Sequence, residues 1–175
     1  MDDSGNGLTH LDPKGRPRMV DVSDKDHTRR AAVARGEIRM SPEALQAIVE
    51  GSTPKGDVLQ VARIAGIQGG KRAGELIPLC HLLPGAALSV ALEPDAELPG
   101  VRVETEASIS GQTGVEMEAL TAATVALLTV YDMAKSLDRG MVMGEVRLVS
   151  KSGGRTGRWE EAHSPEMKTR TSSPG

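Results

Sequence analysis

The sequence predicts an α+β domain in which helices cover one face of an antiparallel sheet. Three observations carry this: segments that alternate apolar and polar residues, segments bounded by helix caps, and the order in which the two kinds occur. VRVETEAS, within residues 101–110, alternates cleanly, as a half-buried strand does. SPEALQAIVEG has Ser41 as a cap, Pro42 for the first turn and Gly51 as a stop. The order strand, two helices, strand, strand, helix, strand lies close to the ferredoxin-like βαββαβ plan with one additional helix.

Residues 27–38 (HTRRAAVARGEI) read as a strand with a hairpin-like or bulged end. In the capped helix that follows, Leu45, Ile48 and Val49 share a face. A second helix is expected over residues 56–72, with Val58, Val61, Ala62, Ala65 and Gln68 or Gly69 along one side. Gly66, Gly69 and Gly70 lower its helix propensity, which points to close backbone packing or close approach of a substrate. Pro78 and Pro84 make LIPLCHLLPG an extended loop or edge segment. Strands at residues 87–93 and 101–110 flank a turn. The longest helix covers about residues 114–137, apolar over most of its circumference and so buried on more than one side. A last strand, residues 144–150, leads into KSGGRTG. The uncovered sheet face is expected to need cover, which another subunit could supply.

A chain of 175 residues suits one domain, here residues 18–160, between polar segments 1–17 and 161–175 expected to be flexible. Phe is absent, with one Trp and one Tyr, so Ala, Val, Leu, Ile and Met must build the core. The formal charge of -3 gives no general attraction for nucleic acid or an anionic membrane. A single cysteine excludes an intrachain disulfide framework, and a cytoplasmic location is the simpler reading. The N-terminal residues are acidic and polar, unlike a secretory signal, and the apolar run at residues 119–130 is too short to span a bilayer.

Three patterns could carry chemistry. Cys80 and His81 are neighbours, but in an extended segment their side chains point apart, which suits a buried thiol beside a hydrogen-bonded histidine better than a nucleophile and its base. No metal-ligand spacing accompanies them. On the long helix, Glu118, Thr121, Asp132 and Lys135 fall within a band of roughly 100°. Asp132 and Lys135 can touch, whereas Glu118 and Asp132 are about 21 Å apart along an ideal helix and belong to different ends of a large pocket or to different pockets. Lastly, basic residues stand beside glycines at Lys55, at Lys71 and Arg72, and at Lys151 and Arg155, a pattern that can cradle phosphate although no Walker A loop or GxGxxG is present. Asp21 could cap, bind lysine or accept a proton. From residues alone, an assembly or binding protein for a phosphorylated small molecule, with Asp132 and Lys135 as an interface ion pair, stays open beside an enzyme.

The blocks MVDVSDK, KGDVLQVARIAGIQGGKR, LIPLCH, TGVEMEALTAATVALLTVYDMAK, GMVMGEVRL and KSGG, in this order, make residues 18–157 similar to the molybdenum cofactor biosynthesis protein C family. The resemblance implies a ferredoxin-like subunit in a homohexamer, a trimer of dimers with active sites at the dimer interface. It implies the conversion of 3',8-cyclo-7,8-dihydro-GTP to cyclic pyranopterin monophosphate with release of pyrophosphate. The residues themselves show no protein metal cluster and no cofactor motif, while Mg2+ could accompany the substrate triphosphate. By motif, Lys55, Asp132 and Lys135 match catalytic positions. Leu79, Cys80, His81, Met117 and Glu118 match substrate-contacting ones, Asp21 a position near the site, and Lys71, Lys151 and Arg155 are expected to offset phosphate charge. The family's usual proline after LCH is Leu82 here, and a common helix cysteine is Ala134.

Overall fold

The computed structural model describes residues 14–154 and 157–162. Strand β1 (Thr28–Arg39) turns Ala32, Ala34 and Ile38 into the core and leaves Arg29 and Arg39 exposed. Helix α1 (Pro42–Glu50) starts as its caps dictate: Ser41 Oγ accepts from Ala44 N at 3.2 Å, and Gly51 closes the helix at φ 67°. Its buried side is Ala44, Leu45 and Ile48; Val49, about 100° further round the helix, is 61% exposed, contrary to the expectation that it shares the inward face.

Helix α2 (Val58–Lys71) is capped by Asp57, whose Oδ1 accepts from Gln60 N. Its buried stripe is Val58, Ala62, Gly66, Gly69 and Gly70; Val61, expected inward, is exposed together with Ile64. The stripe follows the glycines because α4 (Glu116–Ala134) approaches there. A Cβ on Gly66 would stand 2.9 Å from the Ala122 carbonyl, and one on Gly70 would stand 2.9 Å from that of Glu118. Close backbone packing is therefore the reason for these glycines. A single turn, α3 (Ala73–Leu76), follows where sequence periodicity offered no signal; it forms because the Arg72 carbonyl accepts from both Glu75 and Leu76.

Strands β2 (Ala87–Asp95), β3 (Gly100–Gly111), β4 (Val142–Ser152) and the short β5 (Trp159–Glu160) complete an open sheet of order β2-β3-β1-β4-β5, antiparallel throughout. The first four strands have the ferredoxin-like order, with β1 and β3 central and the helical connections crossing one face. β1 and β4 shift register twice, between Val33 and Ala34 in mid-strand and between Arg35 and Glu37, so the irregularity is not confined to the expected bulged end, and Glu145 takes a positive φ of 52° beside the second shift.

Val101, Val103, Thr105 and Ala107 face α4, and Thr105 Oγ1 donates to the Ala119 carbonyl at 2.8 Å, which ties strand to helix. Helix α4 is long and apolar enough to cross a membrane by those criteria alone, but here it is the central core helix against α2, β1 and β3. The opposite sheet face carries ion pairs: Arg35 with Glu104, and Glu37 held between Arg39 and Arg102, with Arg102 also on Asp95. Glu37 is only 6% exposed because two guanidiniums satisfy it.

The Gly66→Ala protein should be destabilised by about 1–3 kcal/mol in denaturant unfolding, because overpacking against a backbone carbonyl outweighs the better helix propensity of alanine. An unchanged or raised midpoint would show that the two helices are not in contact there.

Candidate active site

Lys55 lies in the loop before α2, fixed by buried Thr53, whose hydroxyl bonds the Gly56 carbonyl. From there its Nζ donates to Asp132 Oδ2 at 2.7 Å and to the Asp132 carbonyl at 2.9 Å. Lys135 Nζ donates to the other carboxylate oxygen at 2.6 Å. The Asp132 carbonyl belongs to the last turn of α4, so Lys55 also satisfies a helix-end acceptor and lies at the negative end of the helix dipole. The hydrogen bond from Lys135, then that from Lys55, lowers the Asp132 carboxyl to about 2. All three side chains are half-exposed, and Leu128, on the same face of α4, is 52% exposed. The three catalytic candidates thus form one cluster, a carboxylate between two ammoniums.

At the other end of α4 the surroundings are drier. Glu118 is 3% exposed, and its Oε2 has no hydrogen-bond partner among the described residues. Burial, with the charge of Glu116 adding to it, raises the Glu118 carboxyl. Glu118 and Lys71 both line a cavity of about 400 Å³ walled by residues 82–86. The chain reaches that wall through LIPLCH, where Leu79 adopts a left-handed φ of 62°. A non-glycine residue in this conformation stores strain of about 1 kcal/mol or more. Cys80 is half-buried, and burial followed by the charges of Glu118 and Glu116 raises its thiol. That favours the unreactive neutral form. The His81 ring turns elsewhere: its Nε2 lies 2.9 Å from the Val20 carbonyl. A carbonyl only accepts, so Nε2 carries hydrogen and Nδ1 is left for another partner. Met117 is half-buried in the first turn of α4, and Lys151 Nζ binds Glu116 at 2.9 Å.

The Val20–His81 contact brings in the N-terminal segment. Asp21 Oδ1 accepts from both the amide and hydroxyl of Ser23, which lowers its carboxyl. Asp21 lines a second cavity, about 720 Å³, with Lys25, Arg30, Gln112 and Gly154 among its walls. Lys25, Arg30 and Gln112 were not singled out from sequence; Lys25 lies inside the block MVDVSDK, the one signal that could have found it. Arg30 is aimed by its Nε bond to the Gly111 carbonyl at 2.8 Å. Arg155 lies outside the described residues. No group of three or more His, Cys, Asp or Glu that could hold a metal is present among the described residues.

Among the described residues the candidates therefore form two groups. Lys55, Asp132 and Lys135 gather at the C-terminal end of α4; Lys71, Cys80, His81, Met117, Glu118, Lys151 and Asp21 gather around its N-terminal end.

The family model described as the MoaC family matches residues 19–154. A cyclic pyranopterin monophosphate synthase of Dinoroseobacter shibae is 57% identical over 155 residues, 89% of this chain and 98% of the relative. The protein of the same name from Brucella melitensis biotype 2 is 53% identical over 161 residues, covering 92% and 98%. That from Pelotomaculum thermopropionicum is 56% identical over 155 residues, covering 89% and 91%.

The two carboxylates should titrate with opposite signs. Asp132 is lowered from 3.8, so the stability its ion pairs contribute is present above that pH and lost as pH falls towards about 2. Glu118 is raised from 4.5, so its burial costs most at high pH, where the unfolded carboxyl is ionised. Glu118→Gln should therefore raise Tm, by more at pH 8 than at pH 5. A pH-independent difference would mean that Glu118 is ionised and satisfied in the folded protein.

Proposed function

The chain belongs to the MoaC family, and on that premise we propose that it converts 3',8-cyclo-7,8-dihydro-GTP to cyclic pyranopterin monophosphate with release of pyrophosphate, in molybdenum cofactor biosynthesis. The name shared by its relatives is that of the enzyme making this product. The single observation that carries the reading at the level of chemistry is the Asp132 carboxylate held between Lys55 and Lys135.

The reaction opens the five-membered ring of the purine, closes a pterin fused to a pyran and forms a cyclic phosphate. Protons must be delivered and removed at several nitrogens and oxygens, and negative charge accumulates on the departing pyrophosphate. Lys55 and Lys135 would act as general acid and base, each held by Asp132 until an anionic substrate competes for its ammonium. Asp132, ionised at neutral pH, would orient the lysines and set their charge state, or accept a proton itself and become neutral. A sugar hydroxyl attacks the α-phosphorus and pyrophosphate leaves, with Lys71 and Lys151 offsetting the developing charge. His81, through Nδ1, and Glu118 would hold the base or the ribose-derived portion, beside the backbone of Leu79 and Cys80 and the side chain of Met117. Asp21 would sit at the margin of this half.

The two halves lie at opposite ends of α4, about 21 Å apart on ideal helix geometry. A small substrate touching both is accommodated if one subunit's lysine cluster faces its neighbour's His81–Glu118 end. We therefore assign the active sites to the dimer interface of a homohexamer, a trimer of dimers, in the cytoplasm. Exposed Val61, Ile64 and Leu128 on the helical layer support burial of that surface against another subunit.

Mixed oligomers test this arrangement. Lys55→Ala and His81→Ala chains should each be at least roughly 100-fold slower than wild type. When the two are unfolded and reassembled together, about a quarter of wild-type activity should return, because half of the random dimers hold one intact composite site out of two. No recovery would place the whole site within one subunit. Cys80→Ser should stay within about tenfold of wild type, as expected for a wall residue and not a nucleophile; near-complete loss would restore the thiol as a reactive group.

A further inference from the structure

The segment at residues 20–25 carries two of the groups that face the larger cavity, Asp21 and Lys25, yet it belongs to no helix or strand. Loop backbone of this kind takes a defined course only where other groups satisfy its carbonyls. Two side chains from distant parts of the chain do so. At its start the His81 ring binds the Val20 carbonyl at 2.9 Å. At its end Gln112 Nε2 donates to both the Ser23 and Lys25 carbonyls, each at 2.9 Å. Between these tethers the segment is folded on itself by Lys25 N donating to the Val22 carbonyl and by Ser23 bonding Asp21.

Gln112 is suited to this task by chemistry and by location. Its amide group has two N–H donors, one for each carbonyl, and because both partners only accept, the amide orientation is fixed. It follows directly on Gly111, the last residue of β3, whose carbonyl holds Arg30. One strand end therefore aims Arg30 through its backbone and the 20–25 segment through its side chain, and both line the same cavity.

We propose that Gln112 is a positioning residue, whose side-chain amide holds residues 20–25 in the conformation that presents Asp21 and Lys25 to the bound substrate. The proposal rests on the functional reading above for the identity of the substrate, and on geometry alone for the tether. Gln112 touches no reacting atom; it acts through the loop.

The test compares Gln112→Ala and Gln112→Glu with wild type in the full chain, by amide hydrogen exchange at Ser23 and Lys25 and by steady-state kinetics with 3',8-cyclo-7,8-dihydro-GTP. Loss of two hydrogen bonds should raise KM about tenfold in Gln112→Ala with kcat little changed, and speed exchange at both amides to a similar degree. Gln112→Glu has the same shape but turns a carboxylate towards two carbonyls, so it should be the worse of the two; a residue that merely fills space would show the reverse order. Unchanged exchange at Ser23 and Lys25, or a Gln112→Glu protein with wild-type KM, would overturn the proposal. If wild type failed to convert the substrate, the functional reading would fall, and the exchange rates of the variants would still decide the role of Gln112.

Discussion

The close contact of α2 with α4 is the constraint on which the other features depend. Gly66 and Gly70 let the helix backbones meet where any side chain would strike the Ala122 or Glu118 carbonyl, and Gly69 admits Val125. The pairing of early α4 with late α2 makes the helices antiparallel, so the loop before α2 arrives at the end of α4 and the segment after α2 arrives at its start. The first places Lys55 on Asp132; the second places Lys71 and residues 82–86 beside Glu118. One packing seam thus sets both halves of the candidate site. A chain without phenylalanine builds this layer from small residues, with Ala119, Ala122, Ala123 and Ala126 fully buried, and small residues permit the close approach.

The two ends of α4 differ electrostatically for physical reasons that fit different tasks. At the C-terminal end, helix carbonyls and a carboxylate attract two lysines, and exposure keeps every charge solvated and able to exchange partners. At the N-terminal end, Glu118 is dehydrated and one of its oxygens lacks a partner among the described residues, a cost that a well-packed protein rarely tolerates without use. The first arrangement suits proton transfer and charge compensation; the second suits recognition of a polar group that completes the missing hydrogen bond. The strained backbone at Leu79 lies in the loop leading to this second end.

Much of the fold was legible in local pattern. Alternation located β3, and Ser41, Pro42 and Gly51 bounded α1 to the residue. The spacing of Asp132 and Lys135 showed that they could touch. What local pattern lacked was direction and partnership. Val49 and Val61 read as inward because they are apolar, but Val49 lies about 100° round α1 from Ile48, and the glycines define the inward stripe of α2. The alternation of β3 marked a polar face without revealing that Arg35 would pair Glu104 or that Arg39 and Arg102 would share Glu37. The glycine beside Lys55 marked it only as a phosphate-cradle candidate; nothing local joined it to Asp132, which it meets across 77 positions. Gln112 escaped notice because its partners lie 89 and 87 residues away and its own neighbourhood carries no chemical pattern.

The central claim is that this protein turns a cyclised GTP derivative into a cyclic pterin phosphate with lysine-held acid-base groups and loss of pyrophosphate. Incubation of the wild-type protein with purified 3',8-cyclo-7,8-dihydro-GTP, with both products followed, tests it most directly. Cyclic pyranopterin monophosphate and pyrophosphate should accumulate in equal amounts, while plain GTP is left intact. Absence of both products, or consumption of GTP itself, would contradict the account.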